Sequence, residues 1–288
     1  MELQIVDNRS IDLGSLLSTE IERSDTLRVA VAFASRSGLV KIAPSVRRRL
    51  DLGAAAEFLV GLDLSATEPE ALWDLHELSR EYERAHVYCY ADLGPSVLYH
   101  PKLYIMRVSE EAVVIVGSSN LTAGGLARNI EANAVIRAGV DEEVVSDAYA
   151  VYNTLKFHPQ RVEPDADFLS LYEEVRELHR RWQRRRQKDS SWSRVASEFR
   201  AKAASLRRPR PSQSDLVGWL RLVYQRLPDG EFRTRDMYAH EGEFRERYPG
   251  NVNVRPKIRQ QLQYLRDIGL VTHVGRGRWR RVEEADEP

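Results

Sequence analysis

A histidine and a lysine that could act together lie two residues apart in this chain, at His100 and Lys102. They fall within residues 97–106, a run of alternating apolar, aromatic and β-branched residues that predicts a strand. Side chains two apart share one face of a strand, so we expect the imidazole and the ammonium to point the same way.

A second polar group follows the next predicted strand. Residues 112–116 form a short apolar run typical of a buried strand, and Gly117, Ser118 and Asn120 come directly after it. Together with His100 and Lys102, these groups would suit a phosphate. Lysine supplies a point charge, serine and asparagine donate hydrogen bonds, and histidine attacks phosphorus or transfers a proton. A surface histidine, a solvated lysine and a turn are the alternative, but that interpretation leaves the ordered spacing unexplained.

The order His-x-Lys, then Gly-Ser-x-Asn, resembles the hallmark of the phospholipase D superfamily. The matching residues are His100, Lys102, Gly117, Ser118 and Asn120. Arg107 stands where the full motif has aspartate, which argues against the lipid-hydrolysing and cardiolipin-synthesising branches. The chain is similar instead to BfiI-like restriction nucleases, in which a later glutamate takes the orienting role. Glu131, in the strand-like run 129–136, fits that position.

The resemblance implies a nuclease that needs no cofactor and no metal. His100 would attack phosphorus to give a phosphohistidine, and a second histidine would protonate the leaving 3′-oxygen before water hydrolyses the intermediate. Lys102, Ser118 and Asn120 would bind the non-bridging oxygens, and Glu131 would orient His100. Because the chain has a single His-x-Lys set, we expect a homodimer through the nuclease domain, with both His100 side chains in one site.

Composition places the chain among ordinary globular proteins. Of 288 residues, 42% are hydrophobic and 30% are charged, and no apolar run approaches the roughly 20 residues that span a bilayer. The first residues lack the basic and apolar regions of a signal peptide. A single cysteine, Cys89, excludes an internal disulfide framework and a cysteine-based zinc site. We therefore expect a cytoplasmic protein without a membrane partner.

Charge is distributed unevenly along the sequence. Residues 1–175 contain 16 basic and 28 acidic residues, whereas residues 176–288 contain 27 basic and 15 acidic residues. A basic half of this kind predicts a nucleic-acid partner.

Three regions are expected. Residues 1–163 form an α/β nuclease domain, a phospholipase D-like mixed sheet flanked by helices, because strand and helix patterns alternate. The patterns predict strands at 27–33, 57–62 and 86–90 and helices at 38–50, 69–83 and 142–155, the last closing the domain. Asp63, Ser65 and Thr67 follow the second of these strands, where they could face the site or cap a loop. Residues 164–212 read as a basic helical connector that either tracks DNA phosphates or is a solvated helix.

Residues 213–288 are expected to form a winged-helix DNA-binding domain. Helices are predicted at 214–224, from 232–238 onward and at 254–268, the last ending at Gly269, and a two-stranded wing is predicted over 270–281. A helix that offers Arg, Lys and Gln suits the DNA major groove. The expected DNA-contacting residues are Arg255, Lys257, Arg259, Gln260, Gln261, Tyr264, Arg276 and Arg278.

Residues 214–281 resemble DpnI-like winged helices, through the segments 230–232, 236–238, 257–263, 265–267 and 275–277. This resemblance implies binding to double-stranded DNA, with N6-methyladenine as the feature read. Trp219, Tyr264 or Trp279 could contact the methylated base, or could simply pack in the core. The combined interpretation is a modification-directed restriction endonuclease. A restriction enzyme for an unmethylated sequence and a catalytically inactive DNA-binding regulator are the alternatives.

Overall fold

The computed structural model describes residues 1–8, 11–63, 66–91, 97–185 and 190–282, with side chains described for all of these except 182–193 and 196. The chain divides into two units. The first contains residues 1–138 and 159–209, and the second contains residues 139–158 and 210–288. Among the described helices, none combines the length and apolar character needed to cross a membrane.

Strands and helices alternate over residues 2–90, and consecutive strands or helices follow in several places after that. The strands are β1 (Glu2–Val6), β2 (Thr26–Val31), β3 (Ala55–Gly61), β4 (Ala85–Tyr90), β5 (Lys102–Val108), β6 (Glu111–Gly117), β7 (Asn133–Gly139), β8 (Arg161–Val162), β9 (Glu231–Arg233), β10 (Val271–Gly275) and β11 (Arg278–Arg281). The α-helices are α1 (Leu13–Arg23), α2 (Arg36–Asp51), α3 (Pro69–Glu81), α4 (Glu143–Lys156), α5 (Ala166–Arg185), α6 (Ser190–Ser205), α7 (Gly218–Gln225), α8 (Glu241–Arg247) and α9 (Val254–Asp267).

The first unit is built on a mixed sheet with the strand order β1-β7-β6-β5-β2-β3-β4-β8. Strands β2, β3 and β4 are parallel, and β5 runs antiparallel to both β2 and β6. Apolar side chains of these strands and of the helices are buried in one core cluster. The expected mixed sheet flanked by helices is confirmed.

Local sequence explains where the elements near the site begin. Ser35 caps α2 by accepting a hydrogen bond from the N–H of Gly38 at 3.0 Å. Strand β5 begins at Lys102, five residues later than the sequence pattern indicates. Pro101 has no N–H to donate to the ladder, although its carbonyl still accepts from the N–H of Ala32 at 2.9 Å.

The prediction of a separate connector over residues 164–212 is wrong, because residues 164–209 belong to the first unit. Helices α5 and α6 pack on each other, and α5 also packs on α3. One face of α5 is buried in the core of the unit, through Phe168, Leu169, Tyr172 and Val175. The arginines at 184–186, which could have tracked phosphates, lie among the residues whose side chains are not described.

The prediction that the helix at 142–155 closes the nuclease domain is also wrong, because α4 belongs to the second unit. It packs on α7 and α9 of the second unit. The backbone N–H of Trp219 donates to the Ser146 hydroxyl at 2.9 Å, and the Lys156 ammonium binds the Asp215 carboxylate at 3.1 Å. Gly218 has a φ of +57°, and a Cβ there would lie 2.5 Å from the Ser146 side chain. A glycine is therefore required at this crossing.

The rest of the second unit is a winged helix, as expected. Helix α9 ends before Gly269, which has a φ of +84°, and the wing strands β10 and β11 pair antiparallel. The second predicted helix is wrong at its start. Residues 231–233 alternate exposed, buried, exposed, and they pair with β11 as a third strand instead. The α-helix α8 begins only at Glu241, after a 3₁₀ turn.

The two units redistribute the charge that is segregated along the sequence. The residues of the first unit include 27 basic and 27 acidic side chains, and those of the second include 16 of each. Helix α4 brings four acidic residues of the segment 139–158 into the second unit, and the basic region 176–209 joins the acidic first unit. The basic half of the sequence is therefore not a basic unit of the structure.

Candidate active site

The candidate catalytic residues lie along one edge of the large sheet. This is the edge where the parallel strands β2 and β3 end, where β5 begins and where β6 ends. In the register, Lys102 pairs with Val31 of β2, and Leu103 pairs with Val116 of β6. Ligands of open α/β sheets commonly bind at the carboxyl ends of the parallel strands.

His100 and Lys102 are in direct contact. The Lys102 Nζ atom lies 2.7 Å from Nδ1 and 2.9 Å from Nε2 of His100, and it donates to the His100 carbonyl at 3.1 Å. The Phe33 ring meets the imidazole edge-on at 5.6 Å between centroids and lies 5.9 Å from Nζ. The expectation that the two side chains point the same way holds, although His100 precedes β5.

The Lys102 ammonium is buried, whereas the His100 imidazole is exposed. Burial lowers the pKa of Lys102, and the negative charge of Glu131 partly offsets that effect. Among the described side chains, no carboxylate lies within ion-pair distance of Nζ. A buried cation whose contacts are a neutral ring and a carbonyl is suited to an incoming phosphate anion.

Asn120 is oriented by the backbone. Its Oδ1 atom accepts a hydrogen bond from the N–H of Phe33 at 3.1 Å, so the Nδ2 group is the part of the amide left to donate elsewhere. The following residue, Leu121, accepts from the N–H of Ser35 at 2.9 Å. A Cβ at Gly38 would lie 2.4 Å from the Leu121 carbonyl, so glycine permits this close approach of α2 to the site.

The turn after β6 is tightly constrained. A Cβ at Gly117 would lie 2.3 Å from the Ala132 carbonyl, which explains glycine at this place in the motif. Ser119 is fully buried, and its N–H and hydroxyl both bond to the Asn133 side chain, at 3.2 and 2.9 Å. These contacts fix the backbone from which Ser118 and Asn120 project.

Ser118 and Glu131 form a pair of their own. The Ser118 hydroxyl donates to the Glu131 carboxylate and accepts from the N–H of Ala132 at 3.0 Å. Asn129 donates to the other Glu131 oxygen at 3.2 Å. Since a serine hydroxyl carries one proton, Ser118 in this arrangement anchors Glu131 and does not offer that proton to a phosphate. Glu131 lies before β7, not inside a strand as the sequence pattern indicates.

Neighbouring charges shift the pKa of His100 in opposite directions. Burial and the adjacent Lys102 charge lower the pKa of His100, whereas the Asp63 carboxylate raises it. The lowering effects dominate, so the site favours the neutral imidazole, which is the form that can act as a nucleophile.

Two residues near the site carried weak or no sequence signals. Phe33 lies between the His100 ring and the Asn120 amide, and only the pairing of β2 with β5 brings it there. Asp63 accepts a hydrogen bond from the N–H of Tyr99 at 3.0 Å, next to His100.

Thr67 caps a loop and does not face the site. It is buried, its hydroxyl donates to the Gly61 carbonyl at 2.6 Å, and it accepts from the N–H of Ala34. Ser65 lies outside the described residues.

The DNA-contact residues expected in the second unit separate into two groups. Lys257 and Gln261 are buried, so their expected exposure is wrong. Lys257 lies against α4, where its Nζ binds Asp147 at 2.5 Å and Glu143 at 3.1 Å. The others are exposed or half-buried: Arg255, Arg259, Gln260, Tyr264, Arg276 and Arg278.

Two of the three aromatic candidates for base contact are core residues. Trp219 is fully buried and stacks on Tyr248 at 4.6 Å between centroids. Trp279 is buried, and its Nε1 donates to the Thr234 hydroxyl at 2.9 Å. Tyr264 alone of the three is partly accessible.

Comparison with protein families matches two segments of the chain, and the first match extends from the first unit into α4. Residues 25–153 match the family described as "Cardiolipin synthase, PLD-like domain", and residues 216–281 match the family described as "Dam-replacing HTH domain". The chain thus joins a phospholipase D-like α/β domain to a C-terminal winged-helix domain of the Dam-replacing type.

Several solved structures are similar to part of this chain. NucT from Helicobacter pylori has 15% identity and a TM-score of 0.41, covering 54% of this chain and 94% of its own. Nuc from Salmonella typhimurium has 15% identity and a TM-score of 0.39, covering 54% and 91%. Phosphatidylserine synthase from Haemophilus influenzae Rd KW20 has 11% identity and a TM-score of 0.44, covering 71% and 48%.

The contact between Lys102 and His100 predicts a measurable change in titration. Replacing Lys102→Met removes a positive charge beside the imidazole, so the pKa of His100 should rise. NMR titration of the histidine ring signals measures this, with His100→Ala identifying the signal. Arg107→Met, on the same strand but at its far end, is the matched control and should leave the titration unchanged. A His100 pKa unaffected by Lys102→Met contradicts the proximity of the two charges in solution.

Proposed function

We propose that this protein is a metal-independent DNA endonuclease that cleaves phosphodiester bonds through a phosphohistidine at His100. The observation that carries the proposal is the convergence of His100, buried Lys102 and backbone-oriented Asn120 at one sheet edge. The phospholipase D-like family match supports the reaction class.

The proposed reaction has two displacement steps at phosphorus. A His100 ring nitrogen attacks, the P–O3′ bond breaks, and a second histidine gives its proton to the leaving 3′-oxygen. Water then attacks the phosphohistidine, which releases a 5′-phosphate and restores the imidazole. Lys102 and the Asn120 amide stabilise the negative charge that builds up on the non-bridging oxygens. Ser118 holds Glu131, whose carboxylate lies close enough to influence the charge on Lys102.

We propose DNA as the substrate because of the second unit. The Dam-replacing helix-turn-helix match covers its winged helix, and exposed arginines line the wing and its neighbouring strand. They are Arg233, Arg276, Arg278 and Arg280. Their charge would contact phosphates, and exposed Gln260 on α9 would be available to base edges.

Cleavage should not require a divalent metal. Magnesium prefers carboxylate and water ligands, and the groups that converge here are an imidazole, an ammonium and an amide. Plasmid cleavage should therefore continue in excess EDTA, and His100→Ala should reduce its rate by at least about 10³-fold without weakening DNA binding.

His86→Ala is the matched control for that assay, because His86 is an exposed histidine on β4. It should cleave like the unchanged protein. Strict dependence on added Mg²⁺ contradicts the mechanism. Absence of cleavage on every plasmid tested would leave the inactive DNA-binding regulator as the better description.

A homodimer would supply the second histidine. Exposed aliphatic residues adjoin three of the site segments along the sequence, where they would be available to a second copy of the chain. They are Val97, Leu98, Val116 and Ile130.

The dimer proposal predicts an inactive heterodimer. Co-expression of unchanged and His100→Ala chains with different affinity tags allows the mixed dimer to be isolated. It should cleave at least about 100-fold more slowly than the unchanged dimer, since one of its two catalytic histidines is absent. The equivalent heterodimer with His86→Ala should keep full activity. A fully active mixed dimer, or a fully active monomer in sedimentation, contradicts a shared site.

We further propose that N6-methyladenine directs this nuclease, with a restriction enzyme for an unmethylated site as the runner-up. The full-length His100→Ala protein allows binding to be measured without cleavage. Burying one methyl group contributes about 1 kcal/mol, so methylated duplex should bind roughly fivefold more tightly than the same unmethylated duplex. Tyr264→Ala should remove the preference, whereas Gln263→Ala, at its exposed neighbour, should keep it. Equal binding and equal cutting of both duplexes favour the runner-up.

A further inference from the structure

The residue before the candidate nucleophile is fixed in the interior. Tyr99 is 5% exposed, whereas His100 beside it is exposed. The Tyr99 N–H donates to Oδ2 of Asp63 at 3.0 Å, and Asp63 itself is 6% exposed. A buried carboxylate therefore holds the backbone one residue from the imidazole.

The Tyr99 ring is clamped as well. It stacks on the Tyr90 ring at 5.1 Å between centroids with planes 14° apart. The guanidinium of Arg161, a fully buried residue of β8, lies 4.4 Å from the Tyr99 centroid. Burial raises the pKa of Tyr99 to about 12, so the phenol stays neutral and suits this stack. The stacking on Tyr90 and the cation–π contact with Arg161 together restrict movement of the Tyr99 ring.

The backbone after His100 is held too. The Pro101 carbonyl accepts the N–H of Ala32 at 2.9 Å, and Lys102 begins the ladder of β5 with β2. His100 is therefore an exposed side chain between two anchored neighbours. A nucleophile held in this way loses little freedom on reaching the geometry of attack.

We propose that Asp63 is a positioning residue for His100. It holds Tyr99 through the backbone N–H, and its charge favours the protonated imidazole. The proposal rests on the nuclease function proposed above, in which His100 must be neutral as nucleophile and protonated as acid.

The charged groups that act on His100 and its neighbours come from four parts of the sheet. Lys102, on β5, and Asp63, after β3, act on the imidazole with opposite signs. Glu131, before β7, acts on Lys102, and Arg161, on β8, acts on Tyr99. Removing the Asp63 charge leaves the effects of burial and Lys102 unopposed, so the pKa of His100 should fall.

Two substitutions separate the charge from the hydrogen bond. Asp63→Asn keeps an oxygen for the Tyr99 N–H and removes the charge, whereas Asp63→Ala removes both. Asp25→Asn is the matched control, because Asp25 likewise accepts a backbone N–H, that of Ser109 at 2.9 Å, but at the other end of β5. The full-length protein is used throughout. The two readouts are the NMR titration of His100 and the pH dependence of plasmid cleavage.

In Asp63→Asn, the His100 titration and the acid limb of cleavage should both move to lower pH, with kcat reduced by less than about tenfold. Asp63→Ala should reduce kcat by about 100-fold with KM little changed, since misplacement of a reacting group costs about this much. Asp25→Asn should change neither readout. Unchanged kcat in a folded Asp63→Ala overturns the positioning role. A His100 titration in Asp63→Asn that matches Asp25→Asn overturns the charge effect, and it decides the proposal if Asp63→Ala does not fold. If the unchanged protein does not cleave DNA, the proposed function fails, and the titration alone still tests Asp63.

Discussion

The site depends on one buried ammonium. Lys102 is the first residue of β5, and its Nζ contacts the His100 imidazole while no described carboxylate neutralises it. Keeping a charge in such a position costs free energy, and the surrounding sheet must hold it there. The antiparallel pairing of β5 with β2 and β6 does so on both sides. Phe33 links the two sides of the site, because its ring contacts the imidazole and its N–H donates to the Asn120 amide.

Helix α4 holds several parts of the second unit together. Its serine, lysine and acidic side chains bind the start of α7, the loop before it and the buried Lys257 of α9. Without the Glu143 and Asp147 carboxylates, the buried Lys257 ammonium would lack these ion pairs, and an unpaired buried charge is strongly destabilising. The winged helix in this chain is therefore completed by a helix encoded far upstream, and the segment from residue 210 onward lacks part of its own packing.

The sequence predicted that His100 and Lys102 point the same way, and that polar residues follow β6, because both spacings are local. Two residues in an extended chain, and a glycine-ended apolar run, determine which side chains meet at a strand end. Little in the sequence indicated that Phe33 and Asp63 lie near His100. Strand pairing brings them there, and it joins residues that are far apart in the sequence. The sequence pattern also placed Glu131 inside a strand, although hydrogen bonds to Ser118 and Asn129 hold it just before one.

The errors in the second half have a shared cause. Helical periodicity identifies an apolar face but not what covers it. The sequence pattern placed Lys257 and Gln261 among the polar residues of α9. Helix α4 packs on α9, and two of its carboxylates form ion pairs with the buried Lys257. The charge asymmetry was equally misleading, because the chain order of acidic and basic segments differs from their grouping in space.

The central claim is that His100 forms a covalent bond to phosphorus, and the stereochemistry at phosphorus tests it most directly. A DNA duplex with a phosphorothioate of known configuration at the cleaved bond is hydrolysed in ¹⁸O-labelled water, and the configuration of the product is determined. Two successive displacements, first by His100 and then by water, invert the centre twice and predict net retention. Net inversion would mean that water attacks the DNA directly, and it would contradict the phosphohistidine.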